Sequence, residues 1–376
     1  MSIGPLYSDA SVRQGLLAGW PARLHLDMPL LTGLLVLATF GLMVLYSATG
    51  QDWAQVQKQV WRLALGFAVM LGIAQLHPTR LRRWSPFLYG AGILLLFAVM
   101  LFGDVGKGAQ RWLDLRVLRF QPSELVKLAV PMMVAWFLAA SALPPSWRRL
   151  AAGTVLTAVP ALLIAKQPDL GTALLVASAG LAVLYLSGVS WRLIAGLAFA
   201  AAAATPLVWT LLRDYQKQRI LTLFDPESDP LGAGYHTLQA KIAIGSGGIY
   251  GKGWLNGTQS QLEFVPEKHT DFIFAVMAEE FGLVGVLGLL TLFVLIVLRG
   301  LYIATQAQDA YGRLLAGSIT LVFFVYAFVN VGMVIGVLPV VGVPLPLVSY
   351  GGTSLVTLMA GFGILMSIHT HRRLLP

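Results

Sequence analysis

The stretch EFVPEKHTDF, residues 263–272, runs directly into a long apolar segment and decides how the sequence is interpreted. It places five ionisable side chains in the nine positions that end at Asp271. The residues that follow, to about Leu298, are uncharged apart from Glu279 and Glu280. A charged, proline-containing segment at the start of a membrane-length helix marks a boundary where polar chemistry can meet a lipid phase. Asp271 is therefore the first candidate for a catalytic residue.

The composition places the chain among membrane proteins. Of its 376 residues 57% are hydrophobic and 11% are charged, and the mean hydropathy is +0.75. A soluble domain usually carries about 25% charged residues. Cysteine is absent, which excludes disulfides and thiolate metal sites, and the six histidines show no zinc-ligand spacing. The net charge of +9 comes mostly from arginine in short loops, so nucleic acid is not expected as a partner.

The apolar segments predict an all-α polytopic membrane protein with about ten transmembrane helices. About 20 apolar residues suffice to cross the hydrocarbon core. The first segment is too long for a cleaved signal sequence and is interpreted as a retained signal anchor. The predicted spans lie near residues 28–48, 61–76, 86–103, 122–141, 149–165, 170–187, 191–212, 271–298, 313–337 and 351–368.

The distribution of arginine predicts the orientation, with both termini on the cytoplasmic side. The cytoplasmic set comprises Arg13, Arg23, Arg80, Arg82, Arg83, Arg148, Arg149, Arg192, Arg299, Arg313, Arg372 and Arg373. The external face then carries the loop 104–121, the turn 166–170, the long loop 213–270 between spans seven and eight, and the turn 338–350. We divide the chain into a cytoplasmic segment 1–27, one membrane domain 28–368 and a cytoplasmic tail 369–376.

Asp271 has a purely structural interpretation as well as a chemical one. With Thr270 as N-cap it would sit in the first helical turn and simply complement the helix dipole. Against this, Glu267, Lys268 and His269 crowd the same turn, which favours a functional cluster. A helix of 28 residues would also measure about 42 Å against a core of about 30 Å, so its first turns would stand above the hydrocarbon.

Two further charged groups lie at predicted external helix starts. Glu124 and Lys127 are three residues apart and share a helix face, so they can form a structural ion pair. The alternative is a polar cavity floor in which Lys127 or Arg111 holds an anion such as phosphate. Lys166 and Asp169 flank a tight turn on the same external face. Like Asp271, Asp169 could simply be an acidic residue in the first helical turn that complements the helix dipole.

Glycine and proline mark two more segments of the external face. Residues 245–253, GSGGIYGKG, superficially resemble a phosphate loop but lack its G-K-[ST] ending and lie outside the cell, so an ATPase is rejected. Their glycines would still allow a close backbone approach to a ligand. The proline-rich residues 338–354 are interpreted as a rigid re-entrant turn or as a wall of the same cavity.

Six short motifs are spread along the chain. They are QRW at 110–112, QPSE at 121–124, QPDLGT at 167–172, GKGW at 251–254, HTDF at 269–272 and PLVSYGG at 346–352. Together these motifs resemble the SEDS family, named for shape, elongation, division and sporulation. The sequence of residues 259–274 and the ending HTHRR at 369–373 are similar to the elongation branch of that family, and the resemblance covers about residues 26–373.

The resemblance implies a ten-span fold and a peptidoglycan glycosyltransferase that polymerises lipid II at the periplasmic side of the bacterial inner membrane. It implies a class B penicillin-binding protein, a transpeptidase, as partner, and it makes the aspartate at position 271 essential. Whether Asp271 acts as general base or holds a divalent cation, Mg²⁺ or Mn²⁺, is left open. The pyrophosphate and sugar cavity is expected to use Arg111, Glu124, Lys127, Lys166, Asp169, Lys268, His269 and Ser349.

Three alternatives remain at this stage. A lipid II flippase would suit ten spans with intramembrane charge, but it needs polar groups along the whole path, whereas these acids and glycines crowd the external side. A scaffold without chemistry would make Asp271 matter only through assembly. The division branch of the same family differs from the elongation branch in few features of this sequence.

Overall fold

The structure is a computed structural model and describes residues 24–106, 109–114, 119–211, 214–226, 233–261 and 267–371. The predicted segments that fall outside these ranges include most of the N-terminal segment 1–27, residues 262–266 of the charged stretch and the last five residues of the tail. In chain order the elements are α1 (Met28–Ala48), α2 (Trp53–Ala74), α3 (Pro78–Phe102), β1 (Asp104–Gly106), β2 (Ala109–Asp114), β3 (Arg119–Phe120), α4 (Pro122–Leu138), α5 (Trp147–Lys166), α6 (Leu170–Leu186), α7 (Trp191–Leu211), α8 (Asp214–Phe224), α9 (Ala233–Gly247), α10 (Thr258–Gln261), α11 (Ile273–Thr305), α12 (Ala310–Val334) and α13 (Thr353–Thr370).

The chain is a mostly helical membrane protein, and a helix occupies each of the ten predicted span positions. Within the described residues, six of these helices are long and apolar enough to cross a membrane, namely α1, α3, α5, α11, α12 and α13. Most of α12 is buried, so the other helices pack around it. The number of ten spans and the position of the termini stay predictions.

Polar side chains fix where several helices begin. α2 begins at Trp53, eight residues before the predicted start, because Asp52 accepts a hydrogen bond from Ala54 N at 2.9 Å. Asp27 caps α1 in the same way through Leu30 N. Arg299 donates two hydrogen bonds to Asp27, at 3.0 and 2.6 Å, which ties the start of α1 to the distal half of α11. Burial alone would raise the pKa of Asp27, but these hydrogen bonds hold it below the ordinary value of 3.8.

The prediction of an all-α architecture is only partly correct, because the loop 104–121 contains a small antiparallel sheet. Its three strands follow the order β1-β2-β3. β1 pairs with β2 from Asp104 opposite Trp112 to Gly106 opposite Ala109, and β2 pairs with β3 through Leu113 and Phe120. The sheet satisfies the backbone of a segment that would otherwise be an irregular loop, and it carries Arg111 above the start of α4.

The long loop 213–270 is also more regular than expected, since it contains α8, α9 and α10. α9 packs against α11. Residues 338–350, by contrast, have the irregular backbone that their prolines predict. This 338–350 segment is largely buried against protein, which is the condition under which irregular backbone is tolerated at membrane depth.

The eighth predicted span is broken, which corrects the expectation of one uninterrupted helix. Gly282 has φ 62° and ψ −161° and divides α11 into residues 273–281 and 283–305. The second part, about 23 residues, measures about 34 Å, which is close to the thickness of a hydrocarbon core. The apparent excess length of this span therefore belongs to a separate short helix that leads from the charged turn to the break.

Candidate functional site

A polar cavity of about 170 Å³ opens where β2, α4, α6 and the 338–350 segment meet. Four of the charged residues singled out by sequence reach it together. Its lining comprises Arg111, Gln121, Glu124, Lys127, Asp169, Thr172, Leu175, Gly342, Val343, Pro344, Thr353 and Ser354. Charge of both signs inside a helix bundle is costly to bury and points to a ligand or a tightly satisfied network.

The floor of this cavity is the pair formed by Glu124 and Lys127. Pro122 begins α4, so both side chains lie within its first two turns, and each is less than one tenth exposed. Lys127 Nζ donates to Glu124 Oε1 at 2.8 Å and to the hydroxyl of Tyr326 at 2.7 Å. Among the described residues these contacts use two of the three donors of the ammonium group, which leaves one for a ligand.

The side of the cavity is formed by Arg111 and Asp169. Asp169 caps α6 by accepting from Thr172 N at 3.3 Å, and its other oxygen accepts from Gln121 Nε2 at 3.2 Å. Arg111 donates to the carbonyl of Pro168, and its Nε lies 3.7 Å from Asp169 Oδ2. The Arg111 side chain is 35% exposed, far more than that of Lys127, so it is the cation that an incoming anion meets first.

Asp271 lies in a turn before α11 and not in its first helical turn. α11 begins at Ile273 with Phe272 at the N-cap position, and the hydroxyl of Thr270 donates to Glu267 instead of capping the helix. Oδ2 of Asp271 lies 3.5 Å from the position that a Cβ at Gly342 would occupy. Because Gly342 lines the polar cavity, the Asp271 carboxylate reaches its edge.

The remaining predicted site residues divide into two groups. Lys268 and His269 share the turn with Asp271 and are partly buried. Ser349 is buried, and its hydroxyl donates to the carbonyl of Thr270 while accepting from Leu345 N at 2.8 Å. Lys166 ends α5, and its side chain is exposed. The structure thus brings Ser349 against the Asp271 turn through the backbone, whereas Lys166 stays outside the cavity lining.

The residues present do not form a metal site on their own. Within the described residues, no three histidine, aspartate or glutamate side chains converge to hold a metal ion. A cation here would take one or two carboxylates and rely on substrate phosphate for further ligands, which is a common arrangement for Mg²⁺. The steps described below do not depend on such an ion.

Sequence reasoning missed several polar residues that support the site. Gln121, Tyr326 and Asn330 are at most 9% exposed, and each donates or accepts a hydrogen bond at the cavity or at the Asp271 turn. Gln59 in α2 binds the 338–350 segment through the carbonyl of Ser349. The available signal was an amide or a phenol within an apolar span, which is costly unless its hydrogen bonds are satisfied.

Glu279 and Glu280, two acids that are buried within α11, belong to the helix break. Glu279 Oε1 accepts from Lys252 Nζ and from Gln259 N, both at 2.8 Å, and Glu280 accepts from Ser47. The glycine-rich residues 248–253 supply the hydrogen bonds that the interrupted helix lacks. Their close approach is to the backbone of α11 and not to a ligand.

Comparisons with known proteins give one consistent result. Residues 23–374 match the family model FTSW_RODA_SPOVE, described as cell cycle protein. The peptidoglycan glycosyltransferase MrdB of Escherichia coli K12 is 57% identical over 94% of this chain and 96% of its own length. A probable peptidoglycan glycosyltransferase FtsW of Geobacter metallireducens is 34% identical over 93% of this chain and 96% of its own.

Solved structures agree with these sequence matches. One chain in the structure of a peptidoglycan synthase complex, which addresses the coordination of polymerisation and crosslinking, superposes with a TM-score of 0.81. It is 34% identical and the match covers 91% of this chain and 97% of that chain. The rod shape determining protein RodA of Thermus thermophilus superposes with a TM-score of 0.69, at 31% identity over 91% of this chain and 96% of that chain.

Proposed function

The chain belongs to the FtsW, RodA and SpoVE family, and we propose that it polymerises lipid II into glycan strands through the cavity beside Asp271. The resemblance to the SEDS family is confirmed. So is the assignment as a peptidoglycan glycosyltransferase of the elongation branch, since identity to MrdB is 57% against 34% for a division-type relative. The residues that act, the substrate position and the orientation are what we add.

The observation that supports the proposal is that one cavity has the Asp271 carboxylate at its edge and two cations, Arg111 and Lys127, in its lining. Polymerisation joins the 4-hydroxyl of one sugar to the anomeric carbon of another and breaks the bond from that carbon to the pyrophosphate. The hydroxyl proton needs an acceptor, and Asp271, at the edge of the polar cavity, is assigned as general base. The departing lipid pyrophosphate gains negative charge, which Arg111 and Lys127 stabilise.

The two cations have different parts in this scheme. Lys127 is buried and held by Glu124 and Tyr326, so its charge is fixed in position before substrate arrives. Arg111 is partly exposed and has a planar fork suited to phosphate oxygens. We assign Arg111 to capture of the pyrophosphate and Lys127 to stabilisation of the leaving group. Lys268, His269 and Lys166 are assigned to the rim that receives the sugars and the second substrate.

The setting of the reaction follows from the sequence. Ten spans with both termini in the cytoplasm would place the cavity at the periplasmic side of the inner membrane, within one membrane domain from residue 28 to 368 that includes the external loop 213–270. The solved complex that coordinates polymerisation and crosslinking supports a transpeptidase of the class B penicillin-binding type as partner. The alternative role for Asp271, as ligand of a divalent cation, uses the same cavity.

The decisive experiment measures lipid II polymerisation by the purified chain with its partner. Asp271→Ala is expected to abolish glycan strands. Asp52→Ala is the matched control, because Asp52 caps α2 and lies outside the cavity lining. Normal polymerisation by Asp271→Ala, in protein shown to be folded and partner-bound, would remove Asp271 from the mechanism. Translocation of lipid II in sealed vesicles without polymer would support the flippase instead.

A further inference from the structure

The backbone around Asp271 is held by a buried amide from another helix. Asn330 lies in the last two turns of α12 and is 0% exposed. Its Nδ2 donates to the carbonyl of Asp271 at 2.9 Å and to the carbonyl of Val343 at 2.7 Å. Both neighbours are acceptors, so the amide nitrogen must face them, whichever way the oxygen and nitrogen would otherwise be assigned. One side chain thereby joins the Asp271 turn to the wall of the cavity.

The two carbonyls that precede this one are held in the same way. Ser349 Oγ donates to the carbonyl of Thr270 at 2.6 Å, and Tyr350 N donates to the carbonyl of His269 at 2.9 Å. Three consecutive carbonyls therefore each accept a hydrogen bond from a different residue. The carbonyls of Thr270 and Asp271 belong to the two peptide planes on either side of the Asp271 Cα atom. Because peptide groups are planar, holding both carbonyls limits the direction in which the Asp271 side chain can leave the backbone.

The wall that carries these donors is itself fixed. Ser349 Oγ accepts from Leu345 N at 2.8 Å, and Gln59 Oε1 accepts from Gly351 N at 3.3 Å. The amide nitrogen Nε2 of Gln59 donates to the carbonyl of Ser349 at 3.3 Å. The two donors that lie in the 338–350 segment, Ser349 and Tyr350, are thus held by contacts within that segment and to α2, in addition to those with the Asp271 turn.

We propose that Asn330 is a positioning residue for the glycosyl transfer, which sets the height and direction of the Asp271 carboxylate at the cavity edge. This inference rests on the proposed role of Asp271 as the reacting carboxylate. Catalytic groups lose effect steeply with displacement, and a shift of about 1 Å can cost about 100-fold in rate. Removal of the Asn330 donors frees the carbonyl of Asp271 and breaks the link from this turn to the carbonyl of Val343. The expected consequence is a lower kcat at an unchanged KM for lipid II, because no substrate contact is removed.

The test compares Asn330→Asp with Ser318→Ala in the full chain bound to its partner. Asn330→Asp keeps the shape and replaces two donors by acceptors. Ser318→Ala, in the same helix, also deletes a buried hydrogen bond to a carbonyl, that of Ala179 at 2.8 Å, but it does not touch the Asp271 turn. For Asn330→Asp we expect kcat to fall about 10- to 100-fold with KM within about threefold of the wild type. For Ser318→Ala we expect kcat within about twofold of the wild type at a comparable loss of thermal stability.

Two additional variants keep the proposal falsifiable. Ser349→Ala releases the neighbouring carbonyl without introducing charge, so it should lower kcat in the same way even where Asn330→Asp folds poorly. The Asn330→Ala and Ser349→Ala losses should be less than additive, because both act through Asp271. A kcat within twofold of wild type in Ser349→Ala or in folded Asn330→Asp would overturn the inference. If Asp271→Ala itself stays active, the proposed function fails instead, so the two failures are distinguishable.

Discussion

The buried pair of Glu124 and Lys127 allows a prediction whose size follows from the structure. Lys127→Met keeps the length of the side chain but removes the ammonium group. Glu124, 8% exposed at its side chain, then keeps a charge whose 2.8 Å partner has gone, and Tyr326 loses a 2.7 Å hydrogen bond. Breaking one partner of a buried ion pair costs about 3–5 kcal/mol. We expect a loss of this size in the free energy of unfolding.

The second variant separates stability from catalysis. Glu124→Gln with Lys127→Met removes the uncompensated charge, so most of the lost stability should return, to within about 1–2 kcal/mol of the wild type. Polymerisation should stay strongly reduced, because the cation that stabilises the leaving group is still absent. Lys127→Ala is expected to polymerise weakly for the same reason.

The assay is a double-mutant cycle on the purified chain. Unfolding in mixed micelles gives the free energies of the wild type, both single variants and the double variant, and lipid II polymerisation is measured on the same preparations. The reasoning is refuted if Lys127→Met lies within about 0.5 kcal/mol of the wild type, or if the double variant is no more stable than Lys127→Met. Full polymerisation by the double variant would show that the pair is structural only.

Three further outcomes follow from the geometry. Gly251→Ala should prevent folding, because φ is +78° and the new Cβ would lie 2.1 Å from the carbonyl oxygen of Glu280. Gly72→Ala, inside α2 and with no neighbour within 4 Å, should leave the thermal unfolding midpoint unchanged or raise it slightly, since alanine favours a helix more than glycine does. Asp27→Asn should cost about 1.5–3 kcal/mol in unfolding free energy at neutral pH. Since the native pKa of Asp27 is lowered, this difference should be constant above about pH 5, fall once the pH approaches the ordinary value of 3.8, and vanish as the pH falls through the native pKa. Lys166→Ala, at the exposed rim, should raise the KM for lipid II at most about fivefold and leave kcat unchanged.

Much of the fold could be predicted because the hydrophobic spans are long and regular. Their approximate positions follow from length and hydropathy alone, and the ion pair between Glu124 and Lys127 follows from a spacing of three on one helix face. That Arg111 and Asp169 line the same cavity is harder to predict from the sequence. It requires the assumption that the external loops pack together around one site.

The parts that could not be predicted depend on contacts between distant segments. The sheet at residues 104–120 requires pairing between short strands that carry little alternation of their own. Gly282, where the helix breaks, resembles an ordinary helical glycine in sequence. The break depends on the backbone of residues 248–253, which pairs with the peptide groups that it exposes. Asn330 is a single amide in an apolar run, and its partners lie up to 59 residues away.

The break in α11 also has a consequence for how the chain is made. Lys252 N and Gly253 N donate to the carbonyls of Glu279 and Glu280, and Leu283 N donates back to Gly248. Without these partners, α11 would carry unpaired peptide groups at the boundary of the hydrocarbon core, and each of them costs free energy when it is buried away from water. The segment 248–253 leaves the ribosome about 30 residues earlier, so it is available when α11 inserts. Damage to this segment would therefore be seen first during biogenesis, as chains that fail membrane integration and are degraded, before any enzyme could be assayed.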